Sequence, residues 1–328
     1  GRMGKLVIRS FIDLGLEAEI VLLNDAEGDA ELHAHLLEFD TVHGRWRADF
    51  AYDSDSITID GQKMRFTTTR DLSELPLQEL GVDLVVDCTG AFKSNAKLMP
   101  YFDAGVKKVV VSAPVKDEGV ANIVYGVNDD IYGAERHKVI TAASCTTNCI
   151  APVVQVIQAN LGIEQASFTT IHDVTNTQVI VDKVHKDARR ARSALNSLIP
   201  TTTGSAKAII QIFPELEGRI DGHAVRVPLL NASLTDIVFD VSRDTSAEEV
   251  NALFEEASTG ALEGILGYET RPLVSTDYTN DPRSSIVDAP STMVVNGTHL
   301  KIYAWYDNEM GYTHALVEHV IESGKYLS

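Results

Sequence analysis

Residues 143–152 read Ala-Ser-Cys-Thr-Thr-Asn-Cys-Ile-Ala-Pro, and this stretch separates two sequence patterns. Before it, short apolar runs between helical patterns have the composition of buried parallel strands: Glu19–Leu23, Val82–Asp87, Lys107–Ser112 and Lys138–Ala142. After it come a helical segment over Ile150–Leu161, with Pro152 expected in its first turn, and alternating stretches such as His223–Val241. The sequence therefore predicts an α/β chain with a doubly wound sheet, followed by an α+β domain whose sheet is mostly antiparallel.

The C-terminal part gives two further local predictions. Asn296-Gly297 lies between two alternating runs, a pattern typical of a two-residue β-hairpin loop. Met310–Ser323 has the apolar spacing of an amphipathic helix.

Length and composition limit the class of protein. The 328 residues are enough for two domains with cores that need neither disulfides nor metals. Lys and Arg number 28 and Asp and Glu 47, so the net charge is 28 − 47 = −19, which argues against nucleic acid as a partner. Three cysteines, an odd number, favour free thiols in a reducing compartment, and no apolar run reaches the length of a membrane span. We therefore expect a soluble, cytoplasmic protein.

The N-terminal segment has the pattern of a dinucleotide-binding unit. Gly1-Arg2-Met3-Gly4 runs into an apolar helical pattern, as at the end of a Gly-rich turn, and the strand that would precede this turn is expected upstream of Gly1. Asp25 follows the run Ile20–Asn24 at the spacing of an acid that binds ribose hydroxyls. Such an acid repels a 2′-phosphate, so the pattern favours NAD over NADP. A Gly-rich helix start with Asp25 as a loop cap would explain the same residues.

Cys145 is the strongest candidate for a nucleophile. It stands at the predicted helix start, where backbone amides and the helix dipole stabilise a thiolate and an oxyanion. A random cysteine is more often a small buried hydrophobe, but the hydroxyl neighbours of Cys145 argue against that reading. Cys149, one turn further along, is expected to be buried. The pair lacks the spacing of a metal site, and no metal is predicted.

A base and cationic groups follow downstream. His172 ends a predicted strand, from which it could reach Cys145 only through the fold. The segment Lys186–Arg192 supplies guanidinium groups, although some of these could equally form a solvated helix face or a subunit contact. Arg226 lies within an apolar alternating strand, where a charge must be paired or bind an anion.

Together these residues resemble the glyceraldehyde-3-phosphate dehydrogenase family over essentially the whole chain. The Ser-Cys-Thr-Thr-Asn-Cys string is the most specific feature, and further likeness lies in 200–207, 226–228 and 305–312. The resemblance implies a Rossmann-type NAD-binding domain over 1–144, completed by a C-terminal helix over 309–328, and a catalytic domain over 145–308. It also implies that Cys145 attacks glyceraldehyde 3-phosphate, that His172 assists proton transfer, and that an inorganic anion cleaves the resulting thioester.

Matching positions in the family imply roles for further residues. NAD would be held by Gly1, Arg2, Met3, Asp25, Arg70, Ser112 and Asn308. The anion and substrate phosphate would be held by Ser144, Thr146, Thr175, Arg190, Thr203, Gly204 and Arg226. The family also implies a homotetramer in which the loop over 178–200 reaches toward a neighbouring subunit's cofactor.

Departures from the family pattern indicate a specialised branch. Asp173 follows the histidine, Thr177 stands in place of an acid, Lys183-Val184 replaces a Leu-Pro pair, and Met310 replaces a tryptophan. The sequences of 169–178 and 222–226 resemble those of dehydrogenases linked to arsenate resistance. Such an enzyme would use arsenate or phosphate, giving 1-arseno-3-phosphoglycerate for export by a membrane permease.

Three alternatives remain open at the level of sequence. An N-acylating or semialdehyde dehydrogenase would share the cysteine and the two-domain plan but lack one of the paired phosphate regions. An erythrose-4-phosphate dehydrogenase would share the cysteine but hydrolyse its thioester. A non-catalytic NAD-binding protein would take up the cofactor without reducing it.

Overall fold

The computed structural model describes residues 1–327, and the chain divides into two units by its internal packing. The first contains Gly1–Ile123, Asp130–Ala142 and Thr313–Ser328, of which Ser328, the last residue of the predicted helix over 309–328, lies outside the described residues. The second contains Val124–Asp129 and Ala143–Tyr312. The assignment of 1–144 with 309–328 to NAD binding and of 145–308 to catalysis stays a prediction.

The first unit contains the N-terminal helices and short strands. They are α1 (Arg2–Asp13), β1 (Leu22–Asn24), α2 (Ala30–Glu38), β2 (Phe50–Tyr52), β3 (Ser56–Ile59), β4 (Gln62–Thr67), β5 (Leu84–Asp87), α3 (Asn95–Asp103), β6 (Lys108–Val111), β7 (Val120–Asn122) and β8 (Val139–Thr141). Strands β5, β6, β8 and β7 form a parallel sheet in that order, and every residue of β6 is buried, which explains the run of three valines after Lys108.

Strand β1 belongs to a separate sheet. It pairs in parallel with β4, which continues antiparallel to β3 and β2. The apolar runs predicted as parallel strands each contain a strand, but they do not share one hydrogen-bonded sheet, because β1 takes its partner from β4 and not from β5.

The second unit is built around one large sheet. Its elements are α4 (Cys145–Leu161), β9 (Ile163–His172), β10 (Ile199–Thr202), α5 (Ser205–Ile212), β11 (Ile220–Arg226), β12 (Ser233–Val241), α6 (Ala247–Thr259), β13 (Leu266–Glu269), β14 (Ser285–Asp288), β15 (Met293–Val295), β16 (His299–Tyr306) and the start of α7 (Met310–Gly324). The strand order is β10-β11-β9-β12-β16-β14-β13, with β15 paired to β16. Among the strand pairs of this sheet in the described residues, β9–β11 and β13–β14 are parallel and the other five are antiparallel, so the prediction of a mostly antiparallel sheet is confirmed.

Helix α4 packs against this sheet and forms the centre of its core. Its side chains Cys149, Ile150, Val153, Val154 and Ile157 are all fully buried. The helix starts at Cys145, earlier than the apolar spacing indicated, so Pro152 lies inside the helix and not in its first turn. The apolar spacing does not extend to the first turn, because residues 146–148 are polar. The Ser144 hydroxyl caps this turn by accepting a hydrogen bond from the Thr147 N–H.

The hairpin predicted at Asn296-Gly297 is present but has a longer loop. Pairing ends at Val295 and His299, so three residues connect the strands, and Asn296 and Gly297 both have positive φ. The carbonyls of Gly297 and Thr298 accept hydrogen bonds from the N–H groups of Thr245 and Val241. These bonds hold the third loop residue away from the strand ladder.

In the part of the chain that the structure describes, no helix is long and apolar enough to cross a membrane.

Gly222 allows β11 to pass close to β9. It pairs with Phe168, and a Cβ built on Gly222 would lie 2.6 Å from the ring of that buried phenylalanine. We expect Gly222→Ala to lower the free energy of unfolding by about 1–3 kcal/mol through overpacking. Urea denaturation measures this, with Gly133→Ala as control, where the built Cβ lies at an ordinary 3.6 Å from its nearest neighbour. Equal midpoints for the two variants would contradict the expected clash, and Phe168→Leu should partly rescue Gly222→Ala.

Candidate active site

The thiol of Cys145 and the imidazole of His172 face each other in the second unit. Cys145 is the first residue of α4, and Ser144 caps the helix by accepting a hydrogen bond from the Thr147 N–H at 3.2 Å. His172 is the last residue of β9 and is buried. The Cys145 Sγ lies 3.6 Å from His172 Nε2. The candidate nucleophile and the candidate base therefore lie in contact, at the start of one helix and the end of one strand.

The second ring nitrogen of His172 has two charged neighbours. Its Nδ1 lies 2.7 Å from Asp173 Oδ1 and 2.7 Å from Arg226 Nη1, which the parallel pairing of β9 and β11 places beside it. Burial lowers the pKa of His172, but the bonds to Asp173 and Cys145 outweigh burial and raise it to about 9. His172 is therefore charged at neutral pH.

A chain of buried hydroxyls lies next to this pair. The Tyr306 hydroxyl is 3.0 Å from Thr146 Oγ1 and 2.7 Å from Thr170 Oγ1. The Tyr306 ring stands edge-on to His172, with centroids 6.1 Å apart. The hydroxyl of Thr146 is therefore engaged in the protein core, and Tyr306 limits how the imidazole can tilt. Sequence reasoning included Tyr306 only within the family-like stretch 305–312 and assigned it no role.

Arg226 has an incompletely satisfied guanidinium. Its Nη1 donates to the Asp173 carbonyl at 3.0 Å, while its Nε is buried without a hydrogen-bond partner within residues 1–327. An unpaired donor of this kind is costly and suits an acceptor that comes with a ligand.

The other residues predicted to bind anions have local partners. The Thr175 hydroxyl bonds to Thr177 and Gln178, and Arg190 forms an ion pair with Asp187. Thr203 bonds to Ser205, and Gly204 precedes α5, where a Cβ would meet no atom within 4 Å. The structure thus brings Cys145, His172 and Arg226 into direct contact and places the other residues by contacts within their own loops.

Asn308 follows a buried carboxylate, that of Asp307, to which sequence reasoning assigned no role. Asp307 accepts hydrogen bonds from the backbone N–H groups of Glu309 and Met310, the Asn231 side chain and the Asn280 N–H. Asn308 itself is buried, and its Oδ1 lies 3.5 Å from the Asn231 amide. This network fixes the backbone at the start of α7.

The predicted cofactor residues of the first unit lie at strand ends and at one helix start. Helix α1 begins directly after Gly1, and Asp25 follows β1, as the spacing indicated. The Asp25 carboxylate pairs with the Gly1 amine, and Arg2 forms a two-point ion pair with Asp40. Met3 lies in the first turn of α1, Ser112 follows β6, and the exposed Arg70 pairs with Glu27.

Within residues 1–327, no group of three or more His, Cys, Asp or Glu side chains could hold a metal ion.

The first unit has a parallel sheet, a helix N-terminus after Gly1 and an acid after its first strand. The second unit pairs a thiol with an imidazole. Together these features are typical of NAD-dependent oxidoreductases with a cysteine in the active site. Residues 1–95 match the family model "Glyceraldehyde 3-phosphate dehydrogenase, NAD binding domain", and residues 144–308 match "Glyceraldehyde 3-phosphate dehydrogenase, C-terminal domain". The chain belongs to the glyceraldehyde 3-phosphate dehydrogenase family, and its cofactor is NAD. The predicted family, fold class and cofactor are confirmed.

Curated relatives are similar over nearly the full length of the chain. Glyceraldehyde-3-phosphate dehydrogenase 3 of Nostoc sp. is 57% identical over 319 residues, 97% of this chain and 94% of that protein. The plasmid-encoded glyceraldehyde-3-phosphate dehydrogenase of Cupriavidus necator is 47% identical over 320 residues, 97% of this chain and 94% of the relative. Glyceraldehyde-3-phosphate dehydrogenase 2 of Bacillus subtilis is 45% identical over 318 residues, 97% of this chain and 93% of the relative.

The three thiols should differ in reactivity. Burial raises the pKa of Cys149 to about 12 and that of Cys88 to about 11, whereas Cys145 is half-buried beside a charged imidazole. We expect iodoacetamide near neutral pH to label Cys145 first, with Cys149 unmodified in the folded protein. Peptide mass spectrometry over time measures this. Faster labelling of Cys88 would contradict the expected order, and urea-unfolded protein, in which all three thiols react, is the control.

Proposed function

We propose that this chain catalyses the NAD-dependent, phosphorylating oxidation of glyceraldehyde 3-phosphate through a thioester on Cys145. The observation that carries the proposal is the Cys145 Sγ–His172 Nε2 distance of 3.6 Å at the start of α4, with Arg226 on the other side of the imidazole. The relatives that share nearly the whole length of the chain are named for this activity.

In the first step the Cys145 thiolate attacks the aldehyde carbon. A carbon–sulfur bond forms, the carbonyl π bond breaks, and the oxygen takes the Nε2 proton of the His172 imidazolium, giving a hemithioacetal. The raised pKa of His172, about 9, supports a charged ring that can donate this proton at neutral pH. NAD, when bound, accepts the hydride and so takes the two electrons that the substrate carbon loses.

His172 then acts as the base. As the substrate carbon is oxidised, Nε2 takes back the hydroxyl proton and a thioester to Cys145 remains. An oxygen of the inorganic anion attacks the thioester carbon, the carbon–sulfur bond breaks, and Cys145 leaves as a thiolate. The free amides at the start of α4 are suited to stabilise the oxyanion in both additions.

The first unit has features that fit NAD. Gly1 precedes α1 without a side-chain cap, so the first backbone amides of that helix can meet a pyrophosphate. We propose that Asp25, which follows β1, accepts ribose hydroxyls, and that further contacts come from Arg2, Met3, Arg70, Ser112 and Asn308. For Arg2 and Arg70, binding would require exchange of their present carboxylate partners.

Arg226 and the hydroxyl-rich loops are the proposed anion sites. The unpaired buried Nε of Arg226 supports an anionic ligand, with Thr175 at the substrate phosphate and Ser144, Thr146, Arg190, Thr203 and Gly204 toward the attacking anion. Arsenate and phosphate share tetrahedral geometry and charge, so such groups would discriminate poorly between them. We therefore propose either anion as acyl acceptor, arsenate giving a product for export by a membrane permease from the cytoplasm.

NADH formation tests this proposal. With glyceraldehyde 3-phosphate and NAD, we expect turnover that depends on added phosphate or arsenate, and loss of at least about a thousandfold in Cys145→Ser. Thr259→Ser serves as the control, because this exposed residue at the end of α6 has a hydroxyl that bonds only its own helix turn, and the change should leave the rate unchanged. Turnover without either anion would indicate a hydrolytic dehydrogenase, such as one for erythrose 4-phosphate. NAD binding without reduction would indicate a non-catalytic protein.

We also propose a homotetramer. The segment over 178–198 exposes apolar side chains that water disfavours, namely Ile180, Val181, Val184, Leu195 and Leu198. Light scattering should give about four times the 35.8 kDa chain mass. Val184→Glu should shift the population toward smaller species, whereas an unchanged tetramer would remove this segment from the interface.

A further inference from the structure

The residue that follows the histidine carries a buried carboxylate. Asp173 is almost fully buried and its side chain has no exposed surface. Its Oδ1 lies 2.7 Å from His172 Nδ1 and accepts a hydrogen bond from Ser233 Oγ at 2.9 Å. The Asp173 N–H in turn donates to Ser233 Oγ at 3.2 Å. These contacts hold the carboxylate in one orientation beside the ring.

Three groups lie within hydrogen-bond distance of the single in-plane position at His172 Nδ1: Asp173 Oδ1 at 2.7 Å, the Asp173 main-chain carbonyl at 2.9 Å and Arg226 Nη1 at 2.7 Å. The main-chain carbonyl, like the carboxylate, can only accept. The Asp173 carboxylate can only accept there, so it selects a ring with a proton on Nδ1. Arg226 Nη1, also 2.7 Å away, can only donate, so it selects a ring whose Nδ1 carries a lone pair. The protonation state of His172 therefore depends on which neighbour prevails.

Charge balance favours Asp173. Its Oδ2 is buried without a hydrogen-bond partner within residues 1–327, so the carboxylate needs a cation close by. The imidazolium provides it, while Arg226 directs Nη1 to the Asp173 main-chain carbonyl at 3.0 Å. With Nδ1–H bound to Asp173, the ring presents Nε2–H to the Cys145 sulfur.

We propose that Asp173 is a positioning residue that completes a Cys145–His172–Asp173 triad and keeps Cys145 a thiolate before substrate arrives. The role of the triad in turnover rests on the proposed function, but the state of the thiol does not. Among the described residues, the groups in contact with His172 are Cys145 from α4, Asp173, Arg226 from β11 and the Tyr306 ring edge from β16, while Ser233 from β12 contacts Asp173. Of these, Arg226 alone opposes a charged ring.

The test is the pH dependence of Cys145 alkylation by iodoacetamide in Asp173→Asn, a variant of equal size without the charge. Loss of the carboxylate destabilises the imidazolium, so the thiol keeps its proton to higher pH. We expect the rising limb of the rate profile to move upward by one pH unit or more, which lowers the rate on that limb by about tenfold per unit. A shift of the rising limb by less than about 0.3 pH units, about a factor of two in rate, would overturn the proposal.

Matched variants separate charge from structure. Asp236→Asn removes a carboxylate on β12 that pairs with Lys301, and it should leave the profile unchanged. Ser233→Ala keeps the Asp173 charge but removes one of its bonds, and we expect a smaller shift in the same direction. A Ser233→Ala shift as large as that of Asp173→Asn would indicate a structural role only.

A measurement on the unmodified protein covers the case in which Asp173→Asn does not fold. The His172 ring resonances, assigned with His172→Asn, should titrate near the pKa of about 9. Titration at the ordinary histidine value would overturn the triad. Wild-type protein that shows the alkylation profile but forms no NADH would refute the proposed function and leave the triad in place, so the two failures are distinguishable.

Discussion

The geometry of the site depends on the burial of α4. Ile150, Val153, Val154 and Ile157 are fully enclosed, and each such side chain contributes about 1.5–3 kcal/mol to folding. The helix cannot slide along its axis without losing several of these contacts, so the position of its first residue is set by the core. His172 is fixed independently, because β9 pairs on one side with β11 and on the other with β12. The distance between thiol and imidazole follows from these two constraints.

Buried charge is the second constraint. Asp173, His172 and Arg226 lie within hydrogen-bond distance of one another, and a lone ion among them would cost several kcal/mol. With Cys145 as a thiolate, two negative and two positive groups balance. Each ionisation is therefore coupled to the others, and loss of the Asp173 charge should change the protonation of the Cys145 sulfur through His172.

Local sequence patterns predicted the parts of the structure that local physics determines. The apolar runs located the parallel strands, and the hydroxyl-flanked Cys145 was assigned correctly to a helix start. Asp173, Tyr306 and Asp307 were not identified, because their importance comes from strand register and not from spacing along the chain. Asp173 was visible as a departure from the family pattern, but only the pairing of β9 with β12 brings Ser233 to its carboxylate.

The loop at 296–298 and the position of Pro152 illustrate the same limit. The extra loop residue is held by bonds to Val241 and Thr245, which are distant in sequence. Pro152 is accommodated in the middle of α4, in a helix whose core-facing side chains stabilise it. In both cases tertiary contacts outweigh a local preference.

Because the net charge is −19, the proposed site must bind anions through local donors. Long-range attraction is absent, and at physiological salt the field of distant carboxylates is screened beyond about 8 Å. While Cys145 is a thiolate the charges of the Cys145–His172–Asp173–Arg226 group balance, so affinity in that state does not come from a surplus of positive charge. It must come from directed donors, such as the unpaired Arg226 Nε and the amides at the start of α4. Donors of this kind respond to the tetrahedral arrangement of oxygens and hardly to the central atom, which is the physical basis for expecting phosphate and arsenate to be accepted alike.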